Sequence, residues 1–189
     1  MSDVSRSSAI LPATQLARTV VFAAFIAVLG IFPGVYVGGS DVPIVLQNAG
    51  PLLAGSLLGA RRGAASVLLF LALTAIGLPL LSGGKGGIAP FLGPSAGFLF
   101  GWILSALVVG LIVGRAKRVR LPVLLLANAA GVIVDYLIGV PVLGVFHRDL
   151  PAAVVQSMAF VPGDIAKVVA VSLIAAVAYR ALPGRFAVS

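Results

Sequence analysis

Residues 94–140 read PSAGFLFGWILSALVVGLIVG, then RAKRVR, then LPVLLLANAAGVIVDYLIGV. Two apolar runs flank a block of basic residues. The first run is Pro94 to Gly114 and the second is Leu121 to about Leu143. Each reaches the roughly 20 residues an α-helix needs to cross the hydrocarbon of a bilayer. The short link makes them a helical hairpin, and Arg115, Lys117, Arg118 and Arg120 mark its turn. Basic residues accumulate on the cytoplasmic side of membrane proteins. The hairpin is thereby oriented, its first arm running inward and its second outward.

The same reading extends to both ends of the chain. Further apolar segments run from about Leu16 to Phe32, Val42 to Gly59, Gly63 to Leu81, and about Pro162 to Leu182. That makes six in all. Arg6 and Arg18 precede the first, Arg61 and Arg62 separate the second from the third, and Arg180 and Arg185 follow the last. Of thirteen Lys and Arg residues, ten therefore recur at every second boundary. An even number of helices with both termini cytoplasmic gives this pattern. Five spans would place the last Arg pair outside, so the charges argue for six. The expected fold is an all-α integral membrane protein of six transmembrane helices, with N- and C-termini cytoplasmic. Residues 1–15 and 183–189 are its tails and 16–182 the membrane domain.

Composition agrees. A mean hydropathy of +1.18 with 10% charged residues is far from a soluble domain, where about 25% are charged. The net charge of +8 is spread along oily sequence rather than gathered on an aromatic face, so it reports topology and not nucleic-acid binding. With no cysteine and one histidine, thiolate and multi-histidine metal sites are ruled out, and no cofactor is expected. The N-terminus lacks the early apolar run and cleavage site of a removable signal peptide.

The outer connections, Pro33 to Asp41, Ser82 to Gly93 and Val145 to Val161, are long and rich in Gly and Pro. Ser82-Gly83-Gly84-Lys85-Gly86-Gly87 can approach a ligand closely or close as a lid, since glycine has no Cβ to clash; a plain flexible loop is the simpler reading. His147-Arg148-Asp149 reads as an ordinary polar loop. Small residues recur at helix-packing spacing: Gly93, Gly97, Gly101 and Ser105 in the fourth segment, Gly55 and Gly59 in the second, Ala23 and Ala27 in the first. Such rows let helices approach closely in lipid. Intramolecular packing suits the glycine row; the alanine pair fits a partner subunit equally well.

Ionisable groups inside a span are expensive and usually functional. Here they are Asp135, Asp164 and Lys167, with amides at Gln47, Asn48 and Asn128. Asp164 and Lys167 are three apart and share a helix face. At about 1.5 Å per residue, Lys167 lies about 8 Å below the outer end of the last helix, Asp135 about 21 Å up the fifth and Asn128 about 10 Å up. The acids and the lysine thus cluster near the outer face, below the glycine-rich loop. They form either a structural ion pair or a small polar pocket open to the outside, with Tyr136 and Trp102 available for an apolar part of the ligand. No nucleophile–base constellation and no phosphate-binding loop is present, so the chain reads as a binding protein rather than an enzyme, and ATP hydrolysis would fall to partners. A self-sufficient secondary transporter or channel for a small carboxylate-bearing solute is the competing reading, weakened by the lack of an internal repeat. An intramembrane enzyme is a third.

Several stretches, taken in order, resemble the biotin-specific substrate-binding (S) components of energy-coupling-factor (ECF) transporters, the BioY family. They are Val42-Pro43-Ile44-Val45-Leu46-Gln47, Leu58-Gly59, Gly77-Leu78-Pro79, Gly83-Gly84-Lys85-Gly86-Gly87, Leu92-Gly93-Pro94-Ser95-Ala96-Gly97-Phe98 and Gly163-Asp164-Ile165-Ala166-Lys167. The likeness spans about Phe22 to Leu173. Val45, Ser95 and Phe98 depart from the family's frequent Thr, Thr and Tyr. The resemblance implies a six-helix S-component fold in a prokaryotic cell membrane, with an outward-facing biotin site. It also implies docking, through an Ala-x-x-x-Ala patch that Ala23 and Ala27 match, to a transmembrane coupling subunit carrying two ATPases. On this expectation Lys167 meets the ligand carboxylate or holds Asp164, while Asp164, Asp135 and Asn128 meet its polar head. Gln47, Tyr136, Lys85 and Gly87 complete the candidate set.

Overall fold

The computed structural model describes residues 13–36 and 42–182. The expected tails fall outside these residues, apart from Ala13 to Gln15, which already belong to the first helix; Arg6 and Arg185 also lie outside. Among the described residues there are seven α-helices, with no strand beyond isolated bridges. They are α1 (Ala13–Leu29), α2 (Ala49–Leu58), α3 (Ala60–Ala75), α4 (Ala96–Arg115), α5 (Leu121–His147), α6 (Leu150–Met158) and α7 (Val161–Ala181). A 3-10 turn, Ala89–Phe91, precedes α4. Three helices, α4, α5 and α7, are individually long and apolar enough to cross a membrane.

The departures from the expected segments have local causes. The second segment is helical only over ten residues, about 15 Å. Pro51 is accepted in its first turn, where the missing N–H has no helical partner to lose. Val42 to Asn48 remain outside the helix, tied by paired backbone hydrogen bonds between Val35 and Ile44. Every residue of α2 is buried. Gly59, at φ +79°, breaks the chain between α2 and α3, so Arg61 and Arg62 lie in the first turn of α3 rather than in a link. The third segment ends early, at Ala75, followed by Gly77 at φ +115°. The fifth helix continues a turn beyond Leu143 despite the internal Pro141. His147-Arg148-Asp149 is therefore a helix junction. Arg148 takes the left-handed conformation, and Asp149 caps α6 by accepting from the Ala152 amide at 2.9 Å. The outer connection Val145 to Val161 is thus largely helical.

The rows of small residues set the packing. On α4, Gly97 lies against Ile138 and Val142 of α5, Gly101 against Asp135, and Ser105 against Gly131. On α2, Gly55 meets Ala106 and Val109 of α4, and Gly110 of α4 meets the Gly59–Ala60 elbow. A Cβ at Gly55, Gly97, Gly101 or Gly110 would collide, so these contacts are intramolecular, whereas Gly93 lies before α4 and a Cβ there would meet only ordinary contacts. The first core cluster joins α2, α4, α5 and α7 around Leu52, Leu57, Val109, Leu124 and Val171. The second joins α1, α3 and α4 around Ile26, Val67, Phe70 and Trp102. By contrast Leu126, Ile133, Leu137, Ile165, Val169, Leu173 and Val177 point outward, the exposure expected of a lipid-facing surface.

These contacts also gather the charges. The Gly110–Ala60 contact brings the start of α3 to the end of α4, and the Tyr179 hydroxyl donates to the Ser56 carbonyl at 2.9 Å, bringing in the end of α7. Ile26 packs on Gly50, so the start of α1 points the same way. Arg18, Arg61, Arg62, Arg115, Lys117, Arg118, Arg120 and Arg180 therefore share one end of the bundle.

Candidate functional site: a polar-floored cavity at the other end

The opposite end opens into a cavity between α4, α5, α7, the Val42–Asn48 segment and the loop after α3. Its wall includes Pro43, Leu99, Trp102, Phe98, Tyr136 and Phe160, and its polar lining includes Asn48, Ser82, Lys85, Asp135, Asp164 and Lys167. Phe98 sits edge-on to both Tyr136 and Phe160, with centroids 6.2 and 6.1 Å apart. Gly139 leaves room for the Phe98 ring against α5. Trp102 backs onto Phe70 at 6.3 Å.

The lysine that interrupts the last apolar segment is fully engaged. An ammonium has three N–H donors. Lys167 Nζ gives them to the Val45 carbonyl at 2.9 Å, Asn48 Oδ1 at 2.7 Å and Asp164 Oδ1 at 2.7 Å. Asp164 Oδ1 also accepts from Asn48 Nδ2 at 3.0 Å, and its Oδ2 accepts from the Tyr136 hydroxyl at 2.6 Å. Charge-assisted bonds of this kind are the stronger ones, and they compensate the burial of the pair. Of the two roles expected for Lys167, holding Asp164 matches this geometry. Direct donation to a ligand carboxylate would require one of these three bonds to break.

Asp135 lines the same cavity. It is 7% exposed, and its Oδ1 is buried without a hydrogen-bond partner. Gln47 borders the cavity, but its amide is used as a clamp. It donates to the carbonyls of Ile26 (2.9 Å) and Leu80 (2.8 Å) and accepts from the Ser82 amide (3.1 Å). Lys85 is exposed at the mouth, donating to the Tyr36 hydroxyl at 2.9 Å.

Two expectations are corrected. Asn128 does not line the cavity. It is wholly buried between helices, accepting from Ser56 Oγ at 3.1 Å and donating to Ser172 Oγ at 3.0 Å. Gly87 is not in the lining either; at φ +77° it turns its amide onto the Thr74 carbonyl at 2.8 Å, closing the loop on α3. Ala23 is 3% exposed and packs against the chain's own Val67–Phe70 cluster, with Ala27 half-buried beside it. Asn48, outside the expected set, is central to the network. It is already among the amides read inside the spans, but treating Val42 to Gly59 as one helix leaves it out of the candidate site.

Comparison with known proteins agrees with this architecture. The BioY family pattern matches residues 3–184. The biotin transporter BioY of Rhizobium etli is 44% identical over 182 residues, covering 90% of this chain and 97% of that protein. The biotin transporter BioY of Rhodobacter capsulatus is 46% identical over 169 residues, covering 82% and 87%. A crystal structure of the S-component for biotin from an ECF-type ABC transporter superposes with a TM-score of 0.81 at 34% identity, covering 89% of this chain and 92% of that one. With the same helical architecture and a match along nearly its whole length, the chain belongs to the BioY family.

Proposed function

We propose that this chain is the biotin-binding subunit of an ATP-driven vitamin uptake transporter and captures biotin at an outward-facing site. The observation that carries the reading is the cavity at the end away from the basic residues, in a chain of this family. Biotin has an apolar bicycle and chain, a ureido group with two donors and an acceptor, and one carboxylate. A cavity with aromatic walls, a few convergent polar groups and a cation at its mouth suits such a molecule. The floor of Asn48, Asp164 and Tyr136, held by Lys167, is the polar part of the site; Phe98, Phe160 and Trp102 are its walls.

The chain crosses a prokaryotic cell membrane six times with its basic end, and both termini, in the cytoplasm. α1, α3, α4, α5 and α7 make five crossings. The short α2, extended by Val42 to Asn48, makes the sixth; non-helical backbone is tolerated at membrane depth where it is buried or lines a cavity, as this segment does. α6 caps the outer end. Chemistry on the ligand is not part of the role: biotin passes unchanged, and energy comes from an ECF transmembrane subunit and two ATPase subunits. Isothermal titration of the purified protein with biotin is the direct test. One-to-one binding at micromolar ligand is expected, and its absence overturns the reading.

A further inference from the structure

Asp135 stands apart from the other polar groups of the cavity. Lys167, both oxygens of Asp164, the Asn48 oxygen and the Tyr136 hydroxyl all have partners within the protein. Among the described residues, the buried side-chain atom left without one is Asp135 Oδ1.

The place it occupies is built for it. α4 and α5 cross closely, with glycine on both faces. Gly131 and Gly139 lie one turn either side of Asp135 on α5, and Gly101 of α4 lies opposite. A Cβ on Gly101 would run into Asp135 Oδ1, so α4 leaves room for that carboxyl group and nothing larger. A tight crossing of small residues gains nothing from a carboxyl group. Leaving a buried polar group without a partner is costly, and a charged one more so. Of the two acids in the lining, Asp164 is paired with Lys167, and Lys85 at the mouth is engaged with Tyr36, so Asp135 is the acid left unengaged.

Building on the biotin reading above, we propose that Asp135 is the residue that reads the ureido ring, its carboxyl group accepting a hydrogen bond from a ureido N–H. Ionised biotin has no other N–H or O–H donors; its carbonyl and carboxylate oxygens are acceptors that an ionised carboxylate repels. Gly101 is a positioning residue, acting through the space it leaves. The chemical class recognised is a cyclic urea or a cyclic guanidine. A guanidine carries N–H donors and a positive charge, which suits a carboxyl group with no partner in the protein.

The test is isothermal titration of biotin, 2-iminobiotin and biotin methylated on both ureido nitrogens, on the full chain in detergent. The wild type is expected to bind biotin and 2-iminobiotin, and to lose at least about a hundredfold in affinity for the methylated compound. In Asp135→Asn, biotin should weaken about tenfold and 2-iminobiotin by at least a further tenfold, because the charge partner is gone. Gly101→Ala should weaken both ligands by displacing the carboxyl group. An unchanged ratio of the two affinities in Asp135→Asn overturns the assignment. Undiminished binding of the methylated compound by the wild type overturns it too, even if neither variant folds. A wild type that binds no biotin fails the underlying function, a different result from either.

Discussion

Two buried polar clusters sit on the same two helices, and they differ in what they leave over. The inner cluster joins Asn128 of α5 to Ser56 of α2 and Ser172 of α7. It is neutral, sealed by packing, and its groups serve one another. The outer cluster joins Tyr136 of α5 to Asp164 and Lys167 of α7 through Asn48. It is charged, borders a cavity, and has the unpartnered Asp135 beside it. Interhelical polar contacts in lipid contribute modestly, about 0.6–2 kcal/mol each. The inner cluster is worth that much as scaffold. The outer one costs more to bury, and a ligand is what that cost serves.

Removing Lys167 should separate the two clusters most sharply. Lys167→Ala leaves Asp164 buried without its counter-charge, a loss of about 3–5 kcal/mol for a broken buried pair. Biotin affinity should fall more than a hundredfold by titration. A fully stable variant with wild-type affinity would show that the pair is neither frame nor site. Tyr136→Phe is the next step down. It deletes only the 2.6 Å bond to Asp164, so binding should weaken about tenfold with the melting temperature nearly kept. Asn128→Ala should do the reverse, lowering the melting temperature by an amount matching about 1–2 kcal/mol while the dissociation constant stays within a factor of two. A large change in affinity there would erase the distinction between the clusters. The smallest effect belongs to Lys85→Ala, less than about threefold in affinity, because its contact with Tyr36 is exposed to solvent.

Much of this was legible from residue order. Segment length and recurring basic residues placed the helices, and the three-residue spacing of Asp164 and Lys167 placed both on one face. Asp135 and Asn128 show where that stops. They are seven residues apart, two turns on one face of α5, and periodicity treats them alike. What divides them is the cavity, lined by the Val42–Asn48 segment, α4 and α7, which no local pattern specifies. Ala23 and Ala27 pose the same difficulty: spacing defines a face of α1, while the neighbour it meets is set by α3. The second segment misled for another reason. Hydropathy registers burial, and Val42 to Asn48 are buried or half-buried for the most part without being helical.

The Gln47 clamp has a kinetic meaning. One side-chain amide ties the last turn of α1, the backbone at Leu80 and Ser82, and the segment leading into α2. These pieces share their bonds, so they open together or not at all. The Ser82 amide, whose acceptor is Gln47 Oε1, is the natural reporter: its hydrogen-exchange rate measures how often the mouth of the cavity comes apart as a unit, and it should slow when the site is filled.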